Sequence, residues 1–409
     1  MINCRHCKTP LEYTFLDLGC TPPSNSYLVK EDLNRPEVHL PLKIKVCNQC
    51  WLVQTEDYID AESLFSPEYS YFSSTSKSFL LHAKNFTDKI IKTCDLKEKS
   101  FVIEIASNDG YLLKNFIEKN IPCLGIEPTK STAEVAEKLN IPVLRKFFSE
   151  ALAKKLVSEG KKSDLIIGNN VYAHVPDIND FTKGLKTILK PGGIITLEFP
   201  HLMRLIEQTQ FDTIYHEHFS YLSLYTVSSI FSHVGLRVWH VEEISTHGGS
   251  LRVYGCHQND KHETRESVYE LLKEEATRGL QDLKTYINFK ERVNKIKDDL
   301  VLFLIEQKGF GNKVVAYGAA AKGNTILNYA GVKNDLLDFV VDKSTHKQGK
   351  FLPASRIPVV SEEKIIELKP EYVLILPWNI KDEIIEQLSY IREWEGKFVV
   401  AIPEIKIIK

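Results

Sequence analysis

Four of the eight cysteines fall in two pairs, Cys4-x-x-Cys7 and Cys47-x-x-Cys50, and no other feature restricts the start of the chain so tightly. Two such knuckles wrap a tetrahedral zinc ion as four thiolates, and the 39 residues between them make a long but workable loop. Cys20, Cys94, Cys123 and Cys256 are scattered and form no pattern. A redox reading is weak, because neither knuckle opens a thioredoxin-like βαβ unit. With four protein ligands the ion has no open position. It is therefore expected to be structural, holding a small domain that buries too little apolar surface alone.

The remaining chain is far too long for one core. With 409 residues, 43% of them apolar, it is expected to form two or three domains. A net charge of −2 and a pI near 6.7 offer no basic surplus for nucleic acid or an anionic membrane. No apolar run reaches the roughly 18 residues of a membrane span, and "MINCRHCKTP" lacks the apolar core of a signal peptide. The expected location is cytoplasmic. A Tyr/Ser-rich connector containing Tyr69 and Tyr71 follows the second knuckle, and a helix is expected from about Ser76.

"KSFVIEIASNDGYLLKNFIEK" is the most legible segment. An apolar strand, Phe101 to Ala106, leads through Ser107, Asn108, Asp109 and Gly110 into an amphipathic helix, the opening βα unit of a doubly wound sheet. The turn has no G-x-G-x-x-G, which weakens dinucleotide binding. A second strand in "CLGIEP" sets Glu127 at its end, where an acid accepts hydrogen bonds from ribose hydroxyls. The pairing points to an adenosine-type ligand without a required pyrophosphate. "DLIIGNNVYAHVPD" and "KPGGIITLEFP" supply the fourth and fifth strands, and "LRVWHVEEI" and "SLRVYGC" an antiparallel hairpin turning at Gly248 and Gly249. That layout resembles class I S-adenosylmethionine methyltransferases. Asn108, Asp109, Gly110, Glu127, Asn170 and Phe199 are its candidate cofactor neighbours, since strand C-termini converge there; Asp109 alternatively caps the next helix. His174 is open between cofactor wall, substrate contact and core.

After a charged helical stretch, "KVVAYGAAAKGNTILNYA" repeats the strand, small-residue turn and helix, and "LLDFVVDKS", "YVLILPW" and "KFVVAIPEI" add three strands to a second, parallel Rossmann-like sheet. Gly318, Lys322 and Asn324 at its first turn offer backbone amides and a cation to a diphosphate. Lys343, Lys347 and Lys350, near the end of the next strand, are open between helping to neutralise the same diphosphate and being simply solvated. Between the two sheets lies "FDTIYHEHFSYL". On a strand, His216 and His218 share one face; they are open as a metal pair, a proton-transfer pair or surface histidines.

Taken in order, Cys4/Cys7/Cys47/Cys50, "EIASNDGYLLK", "GIEP", "NNVYAHVPD", "EFPHL", "FDTIYHEHFSYLSL", "HGGSLRVYG" and "YGAAAKGNTILNY" resemble the three-domain, zinc-containing nucleotide-sugar C-methyltransferases, which methylate carbon 3 of 4-keto-deoxysugars. The resemblance implies an α/β protein: a zinc-binding domain over 1–70, a class I S-adenosylmethionine domain over 71–258, and a helical connector with a Rossmann-like nucleotide-sugar domain over 259–409. It implies a nucleotide-linked 4-keto-deoxysugar as substrate and a monomer or small homo-oligomer. By the same resemblance the Tyr-His-Glu-His run lines the cleft, with His218 as general base, Glu217 positioning substrate or base, and Tyr215 a donor to the keto oxygen; either Tyr69 or Tyr71 closes over the site. From "HGGSLR", His247 and Arg252 are expected either to approach the substrate, Arg252 near a phosphate, or to serve only the hairpin turn. The chemistry agrees. A sugar carbon becomes a nucleophile only as an enolate, so a base and donors at the enolate oxygen are required. Rival readings are O-methylation of a nucleotide sugar, an NAD-dependent sugar oxidoreductase or epimerase, and a non-catalytic zinc adaptor.

Overall fold

The computed structural model describes residues 2–60, 64 and 72–409, and the side chain of every one of these but Lys77. Tyr69 and Tyr71 lie outside the described residues. Among the described residues, three sheets organise the chain.

The first is antiparallel: β1 (Tyr13–Thr21), β2 (Leu40–Val46) and β3 (Val53–Thr55) are joined at the edge by β9 (Ser220–Tyr221). Burial alternates along β2, as expected of a strand with one face on a core. The inner face packs against the long C-terminal connector helix Phe289–Gly309, where Phe15 stacks on Phe289 at 4.6 Å between ring centroids. The knuckle side instead joins the central core through Cys4, Cys47, Cys50 and Leu52 beside Leu222, Leu224 and Val227. The small sheet is thus wedged between the two larger units.

The central sheet runs β10-β11-β8-β7-β4-β5-β6, with β4 (Val102–Ile105), β5 (Cys123–Ile126), β6 (Val143–Leu144), β7 (Ser163–Asn169) and β8 (Leu189–Pro200) parallel. β11 (Ser250–His257) pairs antiparallel with β8 and with β10 (Leu236–Ile244), giving the expected doubly wound sheet with its hairpin edge. All four residues of β4 are buried, because helices cover both faces of a parallel sheet. The preceding helix, Lys77–Thr93, starts where expected: Ser76 Oγ accepts from the Phe79 amide at 3.3 Å.

The third sheet runs β14-β13-β12-β15-β16-β17. β12 (Val314–Tyr317), β13 (Val340–Val341), β15 (Tyr372–Ile375) and β16 (Lys397–Val400) are the four expected parallel strands. Two more were not legible. β14 (Val359–Val360) is two residues long, and β17 (Lys406–Ile408) pairs antiparallel with β16, so the sheet is mixed rather than wholly parallel. Among the described residues no helix is long and apolar enough to cross a membrane.

Candidate functional site

The four knuckle sulfurs lie within 4.8 Å of one another, with Cys4–Cys50 and Cys7–Cys47 each at 3.5 Å. Zinc–sulfur bonds of about 2.3 Å give tetrahedral edges of about 3.8 Å, so the set fits a tetrathiolate zinc ion. Gln54 Nε2 donates to Cys4 Sγ at 3.2 Å and the Gln49 amide to Cys47 Sγ at 3.4 Å, contacts that favour thiolates. Arg5, inside the first knuckle, reaches outward. Its guanidinium donates to Pro176 O (2.7 Å), Thr55 O (3.1 Å) and Asp57 Oδ1 (2.8 Å) and lies over the Phe219 ring. The zinc knuckle is thereby tied to two segments of the main cavity wall.

That cavity, of about 1020 Å³, opens where the three sheets meet. A pocket for one small molecule spans about 300–1000 Å³, so this cavity stands at the top of that range. Residues 211–222 are the hub. β9 belongs to the first sheet, Trp378 Nε1 from the C-terminal unit donates to Asp212 Oδ2 at 2.7 Å, and Thr325 Oγ1 donates to Ile214 O at 3.0 Å. The His218 amide donates to Tyr215 O at 3.0 Å, making a turn rather than a strand. Consequently the histidines part. His218 lines the cavity with Tyr215 and Glu217, whereas His216 points away, its Nε2 3.2 Å from Pro41 O.

His218 Nδ1 is 2.8 Å from Thr213 O. A carbonyl only accepts, so Nδ1 carries the proton and Nε2 holds the lone pair. Burial, then the neighbouring His174, holds His218 well below its ordinary range, so it is neutral at pH 7. Tyr215 is tilted over the ring at 4.0 Å and His174 meets it edge-on at 4.7 Å; burial lowers His174 to about 4. Glu217 Oε1 accepts from Asn25 Nδ2 at 2.7 Å.

Toward the central sheet the lining includes Ala106, Asn108, Glu127, Asn169, Asn170 and His174. Glu127 ends the β5 segment and accepts two amides, from Asn108 at 2.9 Å and Thr129 at 2.8 Å. Burial raises its pKa. The Oδ1 atoms of Asn169 and Asn170 are buried without a hydrogen-bond partner among the described residues, acceptors awaiting a donor. A carboxylate and two amide oxygens at adjoining strand ends match a ligand carrying ribose hydroxyls and an ammonium group, as S-adenosylmethionine does. The opposite end is lysine-rich: Lys322, Lys347 and Lys350 line it with His346 and Asn379.

The domain comparisons follow the same three parts. Residues 4–65 match a zinc binding domain family, 79–241 the methyltransferase domain family, and 245–403 the C-methyltransferase C-terminal domain family. The C-methyltransferase NovU of Streptomyces niveus is 33% identical over 406 residues, covering 99% of this chain and 96% of NovU. The chain belongs to this C-methyltransferase family. Among solved structures, the PH0226 protein of Pyrococcus horikoshii OT3 aligns over 49% of this chain and 99% of that one, at 14% identity and a TM-score of 0.39. A SAM-dependent methyltransferase of Anabaena variabilis ATCC 29413 aligns over 43% and 85%, at 15% and 0.35. The protein is an S-adenosylmethionine-dependent C-methyltransferase with a four-cysteine zinc-type site.

Within this family architecture, several residues expected at the ligands face elsewhere. Asp109 Oδ2 accepts from the Ser74 amide at 3.0 Å and does not line the cavity. Gly110, at φ +77°, packs toward Ile141 and Ala136. Phe199 is fully buried in the central core near Tyr172, and Pro200 lines the cavity in its place. Arg252 is held by Glu198 at 2.7 Å and His82 at 3.0 Å, so its charge is neutralised inside the protein rather than offered to a phosphate. Gly318, at φ +94°, is required by its turn: a Cβ there would lie 2.3 Å from Pro377 Cδ. Asn324 donates to Ser24 O at 2.6 Å. Of the three lysines left open between diphosphate and solvent, Lys347 and Lys350 line the cavity, whereas Lys343 does not. Asn25, Tyr27 and Asn379 gave no sequence signal, since each is brought in only by the packing of one domain on another.

Proposed function

We propose that this enzyme methylates carbon 3 of a nucleotide-linked 4-keto-6-deoxyhexose through an enolate. The supporting observation is the single cavity, with a neutral histidine of defined tautomer between an adenosine-type end and a lysine-rich end. His218 Nε2 takes the proton beside the ketone. Its ring is held by Thr213 O, and burial keeps it unprotonated at neutral pH. The Tyr215 hydroxyl donates to the developing enolate oxygen, and Glu217 orients the sugar through its hydroxyls.

Glu127 and Asn170 hold the ribose and amino-acid ends of the cofactor, with Asn108 bracing Glu127 through its amide. Bound S-adenosylmethionine supplies an already electrophilic methyl group. The chain then needs only to hold the carbon close and in line. Lys322 takes the diphosphate. Its Nζ is steadied by Asn379 Oδ1 at 3.0 Å and by the Trp378 ring at 4.8 Å, and burial lowers its pKa, favouring an anionic partner. Lys347 and Lys350 reinforce that end, and His247, with Nε2 buried and without a partner among the described residues, borders the sugar.

The test is incubation with a dTDP- or GDP-linked 4-keto-6-deoxyhexose in deuterium oxide, with and without S-adenosylmethionine. Deuterium is expected beside the ketone without the cofactor, and a carbon-bound methyl with it. A methyl group found on oxygen sinks the proposal.

A further inference from the structure

Residues 23–28 leave the first sheet and cross to the third. Asn324 Nδ2 donates to Ser24 O at 2.6 Å, and the Tyr27 hydroxyl donates to Ala319 O at 2.6 Å. Leu28 and Phe351 exchange backbone hydrogen bonds at 2.9 and 2.8 Å. Two of these anchors are on the turn and helix start that carry Lys322. Between them Asn25 points the other way, into the cavity, where its Nδ2 donates to Glu217 Oε1 at 2.7 Å. The strap thus connects the lysine-bearing turn with the carboxylate beside His218. Thr325, one residue beyond Asn324, also donates to Ile214 O, so the hub is held from both sides.

From this geometry we infer that Asn25 is a positioning residue for Glu217, setting the plane of its carboxylate and coupling it to the nucleotide-binding turn. A carboxylate only accepts hydrogen bonds, so a short N–H bond to one of its oxygens restrains its rotation. Asn25 does this without adding charge. The backbone that carries it is clamped to residues 319–324, so a ligand that orders the turn also orders Glu217. The inference rests on the reading of Glu217 as a substrate-facing group.

The experiment uses the full chain and Asn25→Ala, Asn25→Asp, Glu217→Gln and the Asn25→Ala/Glu217→Gln double variant. Cofactor-free deuterium exchange into dTDP- and GDP-linked 4-keto-6-deoxyhexoses is measured beside dTDP and GDP affinity by calorimetry. Asn25→Ala is expected to slow exchange about tenfold, the effect of one hydrogen bond to a charged group, with dTDP and GDP affinity within about twofold. Asn25→Asp keeps the shape but sets an anion against Glu217, and is expected to be slower still. In the Glu217→Gln background, Asn25→Ala is expected to change little. Full additivity of the two losses, or an Asn25→Asp variant close to wild type, overturns the inference. Wild-type exchange is the separate control: its absence refutes the substrate reading. In that event, denaturation of the same four proteins reads the pair without substrate, and zero coupling between positions 25 and 217 overturns the inference alone.

Discussion

His218 Nδ1 stands 2.8 Å from the carbonyl oxygen of Thr213, five residues earlier in the same hub. One short bond fixes both the ring's orientation and the nitrogen that is free to accept a proton. His218→Asn keeps a polar side chain but removes the base. It should lower exchange and methyl transfer by about 10²–10⁴-fold, the usual weight of a general base, while leaving S-adenosylmethionine affinity nearly unchanged. Calorimetry and the deuterium assay separate the two effects.

The pH profile carries its own prediction. A base must be deprotonated, so activity falls as pH drops through its pKa. Burial moves His218 well below the ordinary 6.5, and the acid limb of exchange assigned to this residue should therefore lie below pH 6.5. An acid limb at or above 6.5 that shifts in His218 variants would contradict its dry setting.

Asp212 is buried beneath the same hub, and burial raises its pKa to about 6. A carboxyl raised in the folded state binds its proton more tightly there than when unfolded. Its contribution is fully present below the unfolded value of 3.8 and is lost as pH rises through about 6. At about 1.36 kcal/mol per unit, ionised Asp212 costs up to about 3 kcal/mol at pH 8. Asp212→Asn keeps an acceptor for Trp378 Nε1 and should remove that cost. Urea denaturation should find the variant's relative stability greater at pH 8 than at pH 4.

How much of this was visible in residue order depends on where each group gets its direction. Cys4, Cys7, Cys47 and Cys50 were legible because their chemistry is carried by spacing alone. Glu127 was legible because a strand end in a parallel sheet has one open side. Which of His216 and His218 faces the cavity was open from spacing alone, because a strand puts both on one face and a turn parts them; the Tyr215–His218 turn sends them apart. Asp109, Gly110 and Phe199 adjoin or neighbour cavity residues in the chain, but a single rotation of the backbone directs each to a core or an anchoring amide. Arg252 was open between a phosphate contact and a structural role at the hairpin, and the structure has an energetic reason for the second: a buried guanidinium needs an anion, and Glu198 supplies one internally. Asn25 depends on a contact across 192 positions, which no local pattern encodes.

Glu127 offers a test of the cofactor end. Glu127→Gln retains one acceptor and loses the charge, while Glu127→Ala also frees the Asn108 and Thr129 amides. Loss of one hydrogen bond to a charged group, about 1.5–3 kcal/mol, predicts S-adenosylmethionine binding weakened about 10–100-fold in Glu127→Ala and less in Glu127→Gln. Affinity for dTDP should stay within about twofold in both. Equal losses for both ligands would indicate collapse of the cavity rather than removal of a cofactor contact.

The zinc knuckle joins structure to chemistry through Arg5. Cys47→Ser leaves three thiolates and should lower zinc content well below one per chain, by atomic emission. Because metal-binding energy in such sites is folding energy, stability should fall by several kcal/mol, lowering the melting temperature by about 10 °C or more. The distinguishing step is Arg5→Ala, which leaves all four cysteines in place. It removes the bonds to Pro176 O and Thr55 O and the stacking over Phe219, the residue after His218. Such a variant should retain its zinc and yet lose exchange activity about tenfold or more, since a small misplacement of reacting groups is costly. Normal exchange in a zinc-replete Arg5→Ala enzyme would show that the knuckle stabilises the chain without setting the geometry of the His218 wall.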